Sequence, residues 1–325
     1  MKNKAVTIVM YHYIRDLKHS RYPSIRGLDI SLFKEQIDYL QKHYTIITME
    51  LLINALDNHY KLPEKPILLT FDDAYADHYL SVFPILNEKG IQGSFFPPVK
   101  AITEHTVLDV NKIHFILASV DNIDFLVSEV LLLLKKYQDE YKLNSPDYYF
   151  EKLAKTDRYD NRETIFVKRL LQVELKEEIR NKLTDELFLK FVGVDENSFS
   201  RELYMNIDQI KCMRRNGMHI GNHGYDHYWL NSLSKEKQTE EINKSLEFIK
   251  LIGGDINNWT MCYPYGAYND DTIDIIKKRG CKLAVTTKVD IADLSKYDKL
   301  ELPRLDTNDF PKDNNAEKND WFYLG

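Results

Sequence analysis

Apolar and polar positions along the N-terminal third of the chain follow two alternating periods. The run "AVTIVMYHYI", from Lys4 to about Ile14, is continuous and β-rich and predicts a buried strand. "SLFKEQIDYLQKHY" (31–44) places apolar residues at 33, 37 and 40 behind a serine N-cap, which is helix spacing. "TIIT" (45–48) predicts a short strand and "MELLINALDNHY" (49–60) a second helix. "PILLTF", opened by Pro66, predicts a strand, followed by a helix from about Asp77 to a C-cap at Gly90 and a strand in "IQGSFF" (91–96). Strand and helix in alternation are the pattern of an α/β fold on a mainly parallel sheet.

From about Thr106 to Glu202 this rhythm gives way to long, charged segments with helical periodicity, such as "NIDFLVSEVLLLLKKYQDEY" and "RETIFVKRLLQVELKEEIRNKL". An all-helical insertion at 106–202 is expected, large enough to be a subdomain, between two parts of one α/β domain at 1–105 and 203–325. It serves either for packing or as a lid or partner surface. The alternation resumes with "NIDQIKCMRRNG" (helix), "MHIG" (strand), the amphipathic "SKEKQTEEINKSLEFIKLIGG", "WTMCYP" (strand), "NDDTIDIIKKRG" (helix) and "CKLAVTT" (strand). The last of these helices is fully signalled: Asn269 caps it, Asp270 and Asp271 sit at its positive end, Lys277 to Arg279 at its negative end, and Gly280 ends it.

Bulk composition removes several function classes. The 325 residues carry a net charge of −6, which argues against nucleic acid and anionic lipid as partners. No stretch reaches the roughly 18 apolar residues of a membrane-spanning helix. Cys212, Cys262 and Cys281 are odd in number and far apart, which fits neither a disulfide framework nor a CxxC site and points to a reducing compartment. The opening "MKNKAVTIVMYHYIRD" has too short an apolar run for a signal peptide, with His12 and Arg15 where small residues would be needed, so a cytoplasmic location is expected. No phosphate-binding GxxxxGK[ST] or GxGxxG occurs, and no GxSxG nucleophile.

Two motifs carry chemistry. "TFDD" delivers adjacent carboxylates, Asp72 and Asp73, at the end of a buried strand, where mutual repulsion gives folding nothing. "HIGNHGYDH" sets His223 and His227 four residues apart after another strand, and Gly224 between them favours a loop over a helix. Either motif alone is commonly incidental: an acidic pair caps or turns, and a spaced pair of histidines decorates a surface. Both, however, fall at predicted carboxyl ends of sheet strands, where α/β active sites gather. Two histidines with Asp73 as a third ligand would form a catalytic metal arrangement with a position open to water.

The ordered set "YHY", "TFDD", "HxxxH", "YPYG" (263–266) and "LPR" resembles the polysaccharide deacetylases of the NodB-homology type, carbohydrate esterase family 4. The resemblance implies a distorted (β/α) barrel, here with the large all-helical insertion, and a divalent metal, most often Zn2+, held by Asp73, His223 and His227. It implies Asp72 as general base and a backbone N–H near Tyr265 facing the oxyanion. The chain departs from the family pattern twice. Cys262 stands where the third motif usually begins with an Arg that orients the base, and Arg304 of "LPRLD" is the substitute, although a structural salt bridge would explain Arg304 as well. No histidine follows His227 to serve as the late-strand acid. The N-terminal "VMYHYI" resembles a circularly permuted subgroup in which the acid lies on the first strand, which makes His12 the general acid. The remaining His19, His43, His59, His78, His105 and His114 read as surface or capping residues, with His78 singled out for its closeness to Asp73, and His219 as packed on its strand.

The function implied is hydrolysis of the N-acetyl group of an amino sugar. A nucleotide- or lipid-linked precursor or an oligosaccharide of surface-glycan biosynthesis is the expected partner. Two alternatives stay open on sequence: an amidase on a non-sugar substrate, and a glycan-binding scaffold on a deacetylase fold. The sequence leaves the oligomeric state, the particular sugar and the role of the insertion undetermined.

Overall fold

A computed structural model describes residues 5–58, 60–156 and 160–325, so the histidine at position 59 lies outside the described residues. The chain forms two compact units. One takes the residues up to Asp16, Gly27–His105 and Ser200–Gly325; the other takes Leu17–Arg26 and Thr106–Phe199.

The first unit is organised on the strand Pro66–Asp72, buried along its whole length. It pairs in parallel with Ala5–Tyr11 on one side, from Thr7 opposite Ile67 to Tyr11 opposite Phe71. On its other side it pairs first with Thr45–Ile46 and then with Ser94–Phe96. Ser94–Phe96 pairs with His219–Ile220, and a bridge from Asn222 to Met261 leads to the pair Met261–Cys262 and Ala284–Val285. A bridge from Val285 to Leu302 and the pairing of Leu305–Asp306 with Val9 and Met10 return the circuit to the first strand. Every one of these pairings is parallel, and through the two bridges they lead from the first strand round to it again, as in a distorted barrel.

Period-two alternation decides what faces each side of the circuit. Ile67, Leu69 and Phe71 join Val9, Tyr11 and Phe95 in a cluster with Phe33, Ile37 and Leu40 of the helix Ile30–His43. Leu68 belongs to a separate cluster with Val6, Ile8, Phe96, Cys262, Val285 and Leu302, contributed by strands all round the circuit. Leu68, Thr70 and Asp72 share one row of the strand, so the last carboxylate continues the inner face.

Several expected elements are shorter than their apolar runs. Ser94–Phe96, His219–Ile220, Met261–Cys262 and Ala284–Val285 hold two or three residues each. Apolar runs report burial, which continues past the point where neighbouring strands diverge and the ladder stops. The first strand ends at Tyr11, and Ile14–Arg15 forms a separate pairing with Leu28–Asp29. Ser31 is not the cap of its helix: Asp29 is, its side chain accepting from the Ser31 N–H at 2.9 Å. Asn269 caps its helix as the sequence indicates, in a reciprocal box with Thr272.

The second unit is helical, with Asp109–Ala118, Ile123–Tyr137, Pro146–Leu153, Arg162–Arg169 and Glu177–Phe191. The segment read as one long periodic run, "RETIFVKRLLQVELKEEIRNKL", is broken by a π turn at Leu170–Glu174 and an extended Leu175. The sequence boundaries also need correction, because Leu17–Arg26 groups with this unit. Tyr22 explains it: the ring meets Phe115 and Phe199 edge-on at 4.9 and 5.9 Å, and Phe188 completes the aromatic cluster. Among the described residues no helix is long and apolar enough to cross a membrane.

Gly221 is closely packed beneath the site. A Cβ there would lie 2.3 Å from Phe96 Cε1 and 2.6 Å from Thr260 Oγ1, while its N–H bonds the Phe95 carbonyl at 2.8 Å. The Gly221→Ala variant is expected to lose about 1–3 kcal/mol through overpacking, read as a lowered midpoint in chemical denaturation.

Candidate metal centre and acid–base pair

All the residues of the site belong to the first unit. In a continuing strand Asp73 would face away from Asp72. Instead the chain leaves the strand through two left-handed residues, Asp73 at φ 72° and Ala74 at φ 55°, which turns the second carboxylate into the same space. Such conformations cost on the order of 1–3 kcal/mol each and persist only when the surroundings enforce them. Here the Asp73 N–H bonds the Phe96 carbonyl at 3.2 Å, and the Ala74 carbonyl accepts from Met205 at 2.9 Å. The buried Tyr75 hydroxyl donates to Asp73 Oδ2 at 2.7 Å.

Asp73 Oδ1 then faces His223 Nε2 at 3.4 Å and His227 Nε2 at 3.3 Å, with all three side chains buried. That oxygen has no hydrogen-bond partner. The Cys262 carbonyl takes up His223 Nδ1 at 2.7 Å, which fixes the tautomer and presents the lone pair of Nε2. Burial would raise the Asp73 pKa, but the two imidazoles hold it well below the ordinary range. A buried, unsatisfied carboxylate oxygen converging with two imidazole nitrogens is costly unless a cation joins them, so these residues fit a divalent ion bound by nitrogen and oxygen.

The loop carrying both histidines is non-helical, with Gly224 at φ 75° and His227 at φ 56°. One face of the helix Lys235–Leu251 clamps it. Glu241 Oε2 accepts from the Tyr225 and Asp226 N–H groups at 3.0 and 2.9 Å. Asn222 Oδ1 accepts from the Gly224 N–H at 2.8 Å, and its Nδ2 donates to Ser245 Oγ at 2.7 Å. Burial pushes Glu241 up to about 7 against the pull of those two N–H groups. Glu241 and Ser245 were not singled out by the sequence; four-residue spacing after the histidine motif was the available signal.

Asp72 has a different partner. Arg304 is fully buried and grips it with both arms, Nη1 to Oδ1 at 3.0 Å and Nη2 to Oδ2 at 2.8 Å. The guanidinium is itself held by the Thr286 carbonyl at Nε (2.8 Å) and by Thr70 Oγ1 at Nη1 (3.0 Å). Cys262 Sγ lies 3.2 Å from Nη2 and 3.4 Å from Asp72 Oδ2, so a small thiol leaves room for an arginine arriving from elsewhere in the chain. Burial alone would raise Asp72; the adjacent Arg304 outweighs it and brings the pKa down to about 2. Asp72, His223 and Cys262 also form a convergent trio. With Arg304 already on Asp72, that second trio does not suit a cation.

His12 follows the first strand and sets Nε2 3.9 Å from Asp72 Oδ2, with 41% of its side chain open to solvent. Tyr265 has φ 57°, and its ring meets His227 at 4.7 Å and stacks on Trp229 at 4.5 Å. Trp229, two residues beyond the second histidine, went unnoticed in the sequence. His78 is neither a surface nor a capping residue: it is fully buried, enclosed by Phe71, Tyr75 and Phe95. His219 is packed, with Nε2 2.8 Å from Thr260 Oγ1. All three cysteines are free.

Comparison with known proteins identifies the family and the fold. The sequence model of the polysaccharide deacetylase family matches residues 59–123 and 174–284, and the chain belongs to that family. A putative polysaccharide deacetylase of Bacillus subtilis, YxkH, is 31% identical over 93 residues, which span 28% of this chain and 32% of that relative. Among solved structures, the Streptococcus pyogenes deacetylase PplD in complex with acetate superposes with a TM-score of 0.57 at 19% identity, covering 93% of this chain and 92% of the other. IcaB from Ammonifex degensii gives 0.55 at 18% identity, covering 94% and 92%. A de-N-acetylase from Aggregatibacter actinomycetemcomitans gives 0.54 at 16%, covering 97% of each chain. At these identities the three structures establish the shared α/β deacetylase fold.

Two outcomes follow from the site. Replacing Glu241 by Ala frees the histidine loop and is expected to weaken divalent-metal affinity about 10–100-fold, measured by chelator competition. For Asp72, a folded pKa near 2 against the ordinary 3.8 means stability that is present above pH 3.8 and lost as pH falls through about 2. In Arg304→Met, burial acts without the guanidinium and the Asp72 pKa moves above its ordinary value. The sign then reverses: the variant gains stability as Asp72 takes up its proton, read from urea denaturation across a pH series.

Proposed function

We propose that this chain is a metal-dependent hydrolase that removes the N-acetyl group from an amino sugar. The observation that carries the reading is the pair of adjacent buried carboxylates with separate partners: Asp72 held by Arg304, and Asp73 turned toward two imidazoles. A base and a metal ligand need that separation, and a structural acidic pair does not. Membership of the polysaccharide deacetylase family supports a sugar substrate, and the de-N-acetylase among the similar folds supports an amide bond.

A divalent ion at Asp73, His223 and His227, with Zn2+ the best match to the donor set, would supply Lewis acidity toward water and the acyl oxygen. Asp72 receives the proton of the attacking water as the new C–O bond forms. Its ionisation is secured by Arg304, and its direction by the rigid guanidinium fork. His12 gives a proton to the nitrogen as the C–N bond breaks, because an amide anion is a very poor leaving group. The products are acetate and a free amine. Tyr265, in its left-handed turn beside His227, contributes backbone N–H character to the oxyanion side. The first strand pairs with both Pro66–Asp72 and Leu305–Asp306. A residue just beyond it therefore borders the space that a last-strand acid would serve, which supports His12 in that role and the reading of a permuted order. The substrate we assign is a precursor or oligosaccharide of surface-glycan biosynthesis carrying N-acetylated sugars.

Acetate release from N-acetylglucosamine oligomers, with and without chelator, tests the proposal. Chelation is expected to abolish it and a divalent metal to restore it. His12→Ala keeps its metal and loses about 10²–10⁴-fold in rate, whereas Asp73→Asn loses both metal and turnover. Full activity after chelation, or a full metal complement in Asp73→Asn, overturns the assignment.

A further inference from the structure

The acid proposed above stands where the sheet stops supporting it. The ladder between the first strand and Pro66–Asp72 ends at Tyr11 opposite Phe71. The next carbonyl, that of His12, therefore has no strand partner, and the backbone that aims the imidazole needs another anchor. The ring of His78 provides it: Nε2 lies 2.8 Å from the His12 carbonyl oxygen. A carbonyl only accepts, so the proton of the neutral ring is on Nε2, and Nδ1 is buried with no hydrogen-bond partner. Burial holds the His78 pKa down at about 4, with the bond to His12 opposing it, so the ring is neutral near pH 7.

The ring cannot easily turn away. Phe71, Tyr75 and Phe95 surround it at centroid distances of 5.7, 5.5 and 5.7 Å. Its backbone opens the π turn His78–Val82, and its N–H bonds the Tyr75 carbonyl at 2.9 Å. Two further contacts tie the same segments together. Tyr13 stacks on Tyr75 at 4.0 Å, and Arg15 Nε donates to Asp77 Oδ2 at 2.8 Å. Residues 12, 13 and 15 are thus fastened to residues 75, 77 and 78, the stretch that directly follows Asp72 and Asp73.

We infer that His78 is a positioning residue for His12: its Nε2–H bond to the His12 carbonyl registers the acid against the two carboxylates. This rests on the reading of His12 as the proton donor to the leaving nitrogen. A misplaced acid harms only a reaction that needs it, and an aryl ester, whose phenolate leaves unaided, does not. The test compares hydrolysis of N-acetylated chitopentaose with that of 4-nitrophenyl acetate, together with metal content and KM. His78→Phe keeps an aromatic in the cage and removes the donor. The expected result is a kcat on the amide lowered by up to about 100-fold, with KM, metal content and ester hydrolysis unchanged. His78→Gln retains an N–H and is expected to recover most of the loss. If the phenylalanine does not fit, His78→Asn, too short to reach the carbonyl, is expected to show the same selective defect. Unchanged amide turnover in these donor-removing variants, or equal losses on both substrates, overturns the inference. An unimpaired amide rate in His12→Ala instead removes the acid reading on which it rests, so the two failures are separable.

Discussion

Two carboxylates on consecutive buried residues can remain ionised together only if each has its own positive partner. Unit charges about 4 Å apart interact by roughly 4 kcal/mol at the effective dielectric of a protein, and burial adds a penalty to each. The fold answers with a guanidinium for one and, for the other, a set of ligands that a divalent cation would complete. Arg304 closes a bidentate pair on Asp72, and His223 and His227 converge on Asp73. Because the guanidinium engages both oxygens of Asp72 while Asp73 Oδ1 is left without a donor, neighbouring residues of the same type acquire different chemistry.

That separation depends on backbone held in unfavourable regions. Among the described residues seven non-glycine positions have positive φ, and four of them, Asp73, Ala74, His227 and Tyr265, are at the site. Bonds from Phe96 and Met205 enforce Asp73 and Ala74, and the helix bearing Glu241 and Ser245 clamps the loop that leads to His227. Strain gathered at the carboxyl ends of neighbouring strands in this way is the mark of a preorganised site.

The parts of the site that could be read from the sequence are those with a fixed local spacing. Asp72 and Asp73 end a strand by their position after "ILLTF", and His223 and His227 announce themselves by a four-residue interval with a glycine that excludes helix. His12 and Arg304 were reachable only by asking which residues could fill roles left vacant by Cys262 and by the lack of a late histidine. His78 was misjudged because a histidine at the start of a helical segment looks like a cap. Its burial among three aromatic rings comes from strands and turns distant in sequence. The helical unit was legible as helices, yet Leu17–Arg26 could not be assigned to it, since the aromatic contacts of Tyr22 span the insertion.

By itself, the sequence determined the strand–helix rhythm, the cap at Asn269 and the spacing of the two motifs that carry Asp72, Asp73, His223 and His227. These follow from period, parity and capping, which act over a few residues. Only the tertiary structure decided that a left-handed turn brings Asp73 round to the side of Asp72. It also decided that a guanidinium from beyond residue 300 reaches the space left by Cys262, and that an imidazole takes over the carbonyl where the first ladder ends. Those outcomes depend on which strands close the circuit, and closure is set by contacts between residues far apart in the chain.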